Sequence, residues 1–392
     1  MRLVDIAEFY SEFGGGVRTY VHQKLEASAK SGVETTIIAP GPADRRERRA
    51  GGEIIWVRSP MLALDHRYHI FADMRPVHAL LDDISPDVVE GSSTWQGARI
   101  ARAWKGNTTR ALFLHQDPVA VYPHSIFSPR LDERRVDQLC FWFWAYLRNL
   151  ARGFDATVAP GRHFAARLQQ FEIPNISACP LGVEKSVFSH EVRDEMLRQS
   201  MLAACDASAG ATLFIAVSRH HPEKRLLLLI EAFDRFRRTR PAALYIVGDG
   251  PMWRAVGARA AATANVHVAG SISGRRDLAR HLASADYFLH GGAAETFGLV
   301  VGEALCSGLP VIVPDRGGAA ELAHPAYSET YRSGDPAALA AAMARMTSRD
   351  RNDLSLAARA GSHRLATPAE HFEQLFALYG ALARTRAERR AA

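Results

Sequence analysis

Glu295-Thr-Phe-Gly-Leu-Val-Val-Gly-Glu303 indicates the fold class of this 392-residue chain more clearly than any other segment. An apolar segment, Tyr287-Phe-Leu-His290, precedes it and is separated from it by the turn Gly291-Gly292-Ala-Ala. After it, Ala304-Leu-Cys-Ser-Gly-Leu-Pro-Val-Ile-Val313 leads from a helix into another apolar strand. Strand, glycine turn, helix and strand in this order form one unit of a parallel α/β fold. The same alternation fills both halves of the chain, so we predict two α/β domains.

The two acids of this stretch suggest a long ligand. If all nine residues were helical, the carboxylates would lie roughly 12 Å apart along the axis and about 80° apart around it. That spacing suits two contacts on one ligand, with an anion between them at the N–H groups of Phe297, Gly298 and Leu299. A nucleotide-sugar has this order of sugar, pyrophosphate and ribose. Taken alone, the two acids are better explained as an acidic first turn that complements the helix dipole. The flanking sequence pattern changes this preference in favour of contacts to a ligand.

The flanking pattern resembles the E-x7-E signature of retaining GT-B glycosyltransferases of family 4. Further matching segments occur along most of the chain. They are Phe13-Gly14-Gly15-Gly16, Phe113-Leu-His115, Pro180-Leu-Gly182-Val183, Arg219-His-His-Pro-Glu-Lys224, Tyr245-Ile-Val-Gly248-Asp-Gly250-Pro251 and Val266-His-Val-Ala-Gly270. The resemblance is strongest over 214–321 and weaker over 40–110 and 120–180, where such enzymes vary with the acceptor.

The resemblance implies a fold and its division. We expect a GT-B architecture, two Rossmann-like domains facing each other across a cleft. Residues 1–185 would form the acceptor-binding domain and residues 186–368 the nucleotide-sugar-binding domain. A helix over about 369–392 would pack back on the first domain.

The resemblance also implies the site residues. The expected catalytic residues are His115, Arg219, Lys224 and Glu295. The expected donor-binding residues are Gly15, Gly16, Arg219, Lys224, Gly248, Gly270, Glu295, Phe297, Gly298, Leu299 and Glu303. In such enzymes the last glutamate binds the ribose, and the first glutamate and the histidine contact the transferred sugar.

The chemistry of transfer explains the cations of this set. The leaving diphosphate must be stabilised, which is a task for cations at the carboxyl ends of strands. Arg219 and Lys224 follow the apolar strand 213–217, and only five of the 48 cationic residues are lysines. A lysine here supplies a compact charge that arginine does not. The resemblance implies front-face retention without an enzymic nucleophile. A carboxylate nucleophile, Asp117 or Glu295, is the alternative.

Composition argues against a secreted, membrane-spanning, metal-binding or nucleic-acid-binding protein. The chain is 47% apolar and 23% charged with a net charge of +6, as in a globular protein. Its opening residues lack the pattern of a signal peptide, no apolar run is long enough to span a bilayer, and the four cysteines lack metal or redox spacing. We therefore expect a cytoplasmic protein with no metal, no cofactor beyond the nucleotide-sugar substrate and no nucleic-acid partner.

The N-terminal half carries two features that bear on the acceptor. Residues 43–53, with Arg45, Arg46, Arg48 and Arg49, are predicted to be an exposed loop. Cys140-Phe-Trp-Phe-Trp-Ala-Tyr146 opens a helix that is either buried against the sheet or placed at a membrane interface, with burial slightly favoured. We expect a glycan or lipid-linked acceptor in cell-envelope glycoconjugate synthesis and a peripheral contact at the inner membrane face.

Three functional classes agree with the fold to different degrees. Transfer of a hexosyl residue from a UDP- or GDP-sugar explains the E-x7-E stretch and the Arg219/Lys224 loop together. A nucleotide-sugar epimerase or hydrolase of the same fold would need an acid/base cluster that the sequence does not offer. A non-catalytic nucleotide-binding partner would tolerate loss of motif residues that are nearly all present.

Overall fold

The computed structural model describes residues 1–12, 16–63, 68–124, 127 and 132–391. Contacts divide the chain into two compact units. Unit 1 comprises Met1–His115, Cys140–Pro180 and Pro368–Ala392, and unit 2 comprises Gln116–Leu139 and Leu181–Thr367. Each unit has its own largely parallel sheet, so the predicted class of two α/β domains is confirmed. The segment 116–139, which the sequence-based division put in the N-terminal domain, groups with unit 2.

The secondary structure alternates between strands and helices. The strands are β1 (Arg2–Ile6), β2 (Glu34–Gly41), β3 (Arg45–Arg49), β4 (Gly52–Arg58), β5 (Val88–Gly91), β6 (Thr109–Phe113), β7 (Ala156–Ala159), β8 (Ile176–Ala178), β9 (Thr212–Val217), β10 (Ala242–Val247), β11 (Val266–Gly270), β12 (Tyr287–Leu289), β13 (Val311–Pro314) and β14 (Ser328–Tyr331). The helices are α1 (Gly16–Ser31), α2 (Arg75–Ile84), α3 (Gln96–Ala103), α4 (Glu133–Leu139), α5 (Phe141–Ala151), α6 (Arg162–Gln170), α7 (Glu195–Ala204), α8 (Leu226–Arg237), α9 (Trp253–Ala261), α10 (Arg275–Ser284), α11 (Leu299–Cys306), α12 (Gly318–Glu321), α13 (Pro336–Thr347), α14 (Arg351–Ser362) and α15 (Pro368–Ala391).

The sheet of unit 1 has the order β3-β4-β2-β1-β5-β6-β7-β8 and is parallel except at β3. The strand β3 corrects the prediction of a loop over 43–53. Its sequence, Arg-Arg-Glu-Arg-Arg, lacks apolar alternation because it is an edge strand, and charged edges prevent pairing with other chains. Three of its arginines face carboxylates, in the pairs Arg45–Glu12, Arg46–Glu53 and Arg49–Glu47.

A sealed ion cluster lies in the core of unit 1. The Lys24 Nζ atom lies 2.6 Å from Asp5 Oδ2 and 2.8 Å from Glu90 Oε1, and all three residues are 0% exposed. The Tyr379 hydroxyl of α15 donates to Glu90 at 2.8 Å. Burial, and then the charge of Glu90, raises the pKa of Asp5 to about 6 despite Lys24. The cluster links α1, β1, β5 and the C-terminal helix, so its removal would loosen the whole unit.

The second attachment of α15 passes through His371. Its Nδ1 atom lies 2.8 Å from the Pro180 carbonyl oxygen, which can only accept a hydrogen bond. The proton is therefore assigned to Nδ1, and Nε2 accepts from the Tyr20 hydroxyl at 3.1 Å. The C-terminal helix thus belongs to unit 1 through polar contacts in its interior.

The aromatic helix α5 is buried on one side only. Phe143 and Trp144 are 3% and 2% exposed, and Trp144 stacks on Phe171 with 3.8 Å between ring centroids. Phe141 and Trp142 are 71% and 59% exposed. The predicted burial is therefore confirmed for one face of the helix, and the other face is exposed, where placement at a membrane interface stays a prediction. Within the described residues, no helix is long and apolar enough to cross a membrane.

The sheet of unit 2 has the order β11-β10-β9-β12-β13-β14 and all its strands are parallel. Along β9, Leu213 and Ile215 pack into one core cluster, and Phe214 and Ala216 pack into another. The sheet is thus covered on both faces, as a parallel sheet requires. The chain leaves the centre in opposite directions after β9 and β12. In open α/β sheets, ligands bind beyond the carboxyl ends of strands at such a point.

Candidate active site

The loop after β9 is fixed by close contacts with the loop after β10. The His220 backbone N–H donates to Asp249 O at 2.7 Å, and Met252 N–H donates to His220 O at 2.9 Å. Gly248 has φ 134°, and a Cβ there would lie 1.9 Å from the Ser218 carbonyl oxygen. Only glycine fits this approach, so the requirement for positive φ accounts for Gly248 without a ligand.

Lys224 and Glu295 meet at the switch point of unit 2. Lys224 lies in a 3-10 turn, Pro222–Lys224, and Glu295 follows β12. The Lys224 Nζ atom lies 2.6 Å from Glu295 Oε1 and 3.4 Å from Glu223 Oε1. The side chains of Lys224 and Glu295 are 17% and 19% exposed, so the pair is reachable from solvent. The structure thus brings together two predicted site residues that are 71 positions apart.

Burial and charge act in opposite directions on this pair. Burial would raise the pKa of Glu295, but Lys224 and, to a smaller extent, His290 hold it below its ordinary value. Burial would lower the pKa of Lys224, but Glu295 and Glu223 raise it. Both groups are therefore charged at neutral pH, and the pair presents a cation already balanced by a carboxylate.

His290 completes this cluster and was missed by the sequence analysis. It is 2% exposed, and its Nε2 atom lies 3.5 Å from Glu295 Oε1. Burial lowers its pKa to about 4 although Glu295 opposes the shift, so the ring is neutral. The available signal was a histidine at the end of an apolar strand, the same signal that selected His115.

Glycines allow the surrounding loops to approach one another. A Cβ on Gly291 would lie 2.4 Å from the Lys224 carbonyl oxygen. Gly317 has φ 82°, and a Cβ there would lie 2.3 Å from the Ala293 carbonyl oxygen. Substitution at either position would push apart the loops that hold Lys224 and Glu295.

The helix of the E-x7-E stretch starts later than the nine-residue helix considered above. Gly298, with φ 88°, caps α11, which begins at Leu299. Glu295 therefore lies in the preceding loop, where its carbonyl accepts from Gly318 N–H at 2.6 Å. Phe297 is 4% exposed and packs in the core. The separation of the two glutamates calculated for a continuous helix therefore does not apply. The N-terminus of α11 still directly follows the loop that carries Glu295.

Glu303 lies within α11 and is 5% exposed. Arg275 Nη2 donates to its Oε1 at 3.1 Å, and Arg275 Nε donates to Glu184 Oε2 at 2.6 Å. Burial raises the pKa of Glu303 to about 7, with Arg275 opposing and Glu184 adding to the shift. Arg275 and Glu184 carried no sequence signal, since neither falls in a motif.

The other residues predicted for the donor site are an arginine in the Lys224 loop and glycines from three further segments of the chain. Arg219 is exposed in the Lys224 loop. Gly248 N–H donates to Gly270 O at 2.8 Å, which joins those two turns. Gly16 begins α1, and Gly15 lies outside the described residues.

His115 belongs to unit 1 and follows β6. Its ring lies 4.9 Å from the Tyr20 ring and 4.6 Å from the Phe113 ring, between centroids. Burial lowers the pKa of His115 to about 3, so it is a neutral hydrogen-bonding group.

Asp117, one of the two candidate nucleophiles, has a local structural role. It is 2% exposed, and its Oδ1 accepts from the backbone N–H groups of Val119 and Ala120 at 2.9 and 3.0 Å. This is a capping arrangement that favours a fixed carboxylate. Among the described residues no group of three or more His, Cys, Asp or Glu side chains could hold a metal ion.

The sequence and the fold match known enzymes. The family model described as "Glycosyl transferases group 1" matches residues 211–349, and the model "Glycosyltransferase Family 4" matches residues 14–187. The chain belongs to glycosyltransferase family 4 and is a glycosyltransferase, as the sequence resemblance predicted.

Its relatives include mannosyltransferases. A GDP-mannose-dependent alpha-mannosyltransferase of Mycobacterium tuberculosis is 31% identical over 329 residues, which cover 83% of this chain and 82% of that protein. A GDP-mannose-dependent alpha-(1-6)-phosphatidylinositol dimannoside mannosyltransferase of the same species is 27% identical over 315 residues, covering 80% and 79%.

Solved structures share the GT-B fold. A sucrose-phosphate synthase from Thermosynechococcus elongatus superposes with a TM-score of 0.77 at 18% identity, covering 97% of this chain and 99% of that one. Anabaena HepE in complex with UDP and glucose gives a TM-score of 0.72 at 15% identity, covering 97% and 100%.

Proposed function

We propose that this chain transfers a mannosyl residue from GDP-mannose to a lipid-linked or glycan acceptor, with retention of the anomeric configuration and without a metal ion. The class of hexosyl donor follows from the E-x7-E resemblance. The choice of GDP-mannose within that class follows from the two mannosyltransferase relatives.

The ion pair of Lys224 and Glu295 is the observation that carries this proposal. A fixed cation at the carboxyl end of a strand, partly open to solvent and next to glycine turns, suits a diphosphate. Glu295 holds the ammonium group in place before the donor arrives. The cation therefore needs little rearrangement when negative charge grows on the leaving group.

Each residue then has a chemical role. Lys224 and Arg219 stabilise the diphosphate as the glycosidic bond breaks. Glu295 also accepts a hydrogen bond from a hydroxyl of the sugar, and Glu303 accepts from the ribose. His115, which is neutral, donates to or accepts from the transferred sugar.

The proposed transfer is a front-face displacement. The bond between the sugar and the diphosphate breaks, the acceptor hydroxyl attacks from the same face, and its proton moves to the departing phosphate. An enzymic nucleophile is not needed. This agrees with the engagement of Glu295 by Lys224 at 2.6 Å and of Asp117 by two backbone N–H groups.

The acceptor is proposed to be presented at the inner face of the cytoplasmic membrane, in the synthesis of envelope glycoconjugates. The exposed side chains of Phe141 and Trp142 support this, because aromatic rings favour the headgroup zone. The arginines of β3 give little support to a membrane contact, because most of them are already paired with carboxylates. Among the described residues only Arg48 of that strand has no carboxylate partner.

The test measures donor choice and acceptor dependence separately. Thermal unfolding with GDP, UDP and ADP should show the largest stabilisation with GDP, about 2.7 kcal/mol at a hundredfold excess over Kd. Release of GDP from GDP-mannose should then require added polar lipid or glycan. Release without any acceptor would indicate a hydrolase, and stabilisation by UDP alone would overturn the donor assignment.

A further inference from the structure

A cavity of unit 2 lies next to the loop that carries Lys224. Its volume is about 580 Å³, which is within the range of small-molecule sites. Neither Lys224 nor Glu295 lines it, so it is not the site described above.

Part of the lining is basic. It includes Arg225, Arg316 and Arg332. Arg225 Nη1 donates to Ser333 Oγ at 2.5 Å, and Arg316 Nη1 lies 2.8 Å from Glu133 Oε2. Arg332 is exposed and forms no salt bridge in the part of the chain that the structure describes, although its charge helps to lower the pKa of Asp335. The carboxylates of the lining, Asp132 and Glu133, are engaged by Arg135 and Arg316. The remaining guanidinium groups, of Arg225 and Arg332, favour a phosphate or carboxylate.

Another part of the lining is apolar. Leu226, Leu227 and Leu228 open α8, and Met252 and Val256 come from the start of α9. Leu227 is 38% exposed although it is a leucine in the first turn of a helix. An apolar group in the cavity would remove this surface from water.

His220 supplies an independent observation. It lines the cavity and is 0% exposed, yet neither ring nitrogen has a hydrogen-bond partner among the described residues. Its ring stacks on Trp253 with 5.5 Å between centroids and 12° between planes, which fixes its orientation. Burial lowers its pKa, so the neutral ring keeps one donor and one acceptor. Buried polar groups without partners are rare and costly, and a bound ligand would satisfy this one.

We propose that this cavity binds an amphipathic anion, with its phosphate or carboxylate at the arginines, its apolar part on the leucines and a polar atom hydrogen-bonded to His220. The ligand could be the headgroup region of a lipid or a soluble amphipathic phosphate. The proposal goes beyond glycosyl transfer and does not depend on GDP-mannose being the donor. Because Arg225 directly follows Lys224, a ligand here would contact the turn that holds the donor-site lysine.

Titration calorimetry with three probes tests the proposal: hexyl phosphate, inorganic phosphate and 1-hexanol. We expect hexyl phosphate to bind more tightly than either of the others. Arg332→Ala and His220→Phe should each weaken it about tenfold or more, the scale of a lost hydrogen bond to a charged group. The matched control is Arg238→Ala, which removes an arginine 69% exposed and outside the cavity, and it should leave binding unchanged.

Several results would overturn the inference. They are no binding of hexyl phosphate, equal affinity for inorganic phosphate, or unchanged affinity in both Arg332→Ala and His220→Phe. Unaltered melting temperature and GDP binding in the variants establish that the fold and the donor site are intact. Binding of phosphatidic acid in vesicles would assign the cavity to a lipid. Binding of free hexyl phosphate without vesicle binding would assign it to a soluble ligand.

Discussion

Each unit contains a lysine held by carboxylates, and the two clusters differ in access to solvent. Lys24 of unit 1 is 0% exposed between Asp5 and Glu90, whereas the Lys224 side chain of unit 2 is 17% exposed beside Glu295. The contact distances are the same, 2.6 Å to the nearest carboxylate oxygen. Ion-pair geometry therefore does not distinguish a structural cluster from a candidate catalytic one. Access to solvent and position at a switch point do.

The largest expected effect is on the stability of unit 1. Lys24→Met leaves Asp5 and Glu90 buried together without their cation, and breaking a buried pair costs about 3–5 kcal/mol. Urea unfolding should show this loss. Lys30→Met, on the exposed end of α1, is the control and should change stability little. A small effect of Lys24→Met would mean that the cluster does not hold the unit together.

The next effect is on turnover. Lys224→Ala and Arg219→Ala should lower kcat by about 10²–10³, as loss of a charge-stabilising group does, with a smaller rise in KM. Steady-state kinetics with GDP-mannose gives both constants. Lys185→Ala is the matched control, because among the described residues Lys185 donates only to the His363 carbonyl at 3.3 Å. If KM rises, kcat/KM falls by the same factor and kcat stays unchanged, then the two residues only bind the donor and do not stabilise the leaving group.

The two glutamates of the E-x7-E stretch should respond to pH with opposite signs. Glu303 has a raised pKa of about 7, so the folded state keeps its proton where the unfolded chain has lost it. Its contribution to stability falls as pH rises from about 4.5 to 7. Glu295 has a lowered pKa, so its contribution to stability is present above about pH 4.5. This contribution is lost as the pH falls through the pKa of Glu295 in the folded state.

Melting curves across pH test this with Glu303→Gln and Glu295→Gln. Relative to the wild type, Glu303→Gln should gain stability as pH rises towards 7 and above. Glu295→Gln should lose stability over neutral pH and approach the wild type in acid. The same sign for both variants would contradict the assigned environments.

The smallest expected effect concerns the membrane. Phe141→Ser with Trp142→Ser should reduce flotation with anionic liposomes, since the two exposed rings supply apolar contact. The reduction should persist at high salt, where screening shortens to about 3 Å at 1 M and the arginines of β3 contribute little. Leu356→Ser, at an exposed position of unit 2, serves as the control. Wild-type protein that stays in solution at both salt concentrations would favour a soluble acceptor.

Sequence reasoning placed Lys224 and Glu295 in one candidate site because each follows an apolar strand and parallel strands end at the same edge. The structure brings the two side chains into contact, and their roles in the reaction stay predictions. Sequence reasoning did not predict β3, since a charged edge strand has no apolar alternation. His290 and Arg275 were missed for a different reason. Their contacts arise from side chains that meet only after folding. The position of His290 at the end of an apolar strand was a usable signal, whereas Arg275 falls in no motif. The grouping of 116–139 with unit 2 depends on tertiary contacts that no local pattern records.

A calorimetric titration of GDP into Lys224→Met and Lys24→Met shows whether the solvent-accessible lysine cluster, and not the buried one, binds the diphosphate. Both variants replace a carboxylate-bound lysine with an uncharged side chain of similar length, and both are measured where they remain folded. We expect GDP affinity to fall about tenfold or more in Lys224→Met, because a charged contact to the diphosphate is lost. We expect unchanged affinity in Lys24→Met, because the Lys24 cluster is buried and cannot reach a ligand. Unchanged affinity in Lys224→Met, or an equal loss in both variants, would contradict the assignment of the diphosphate to Lys224.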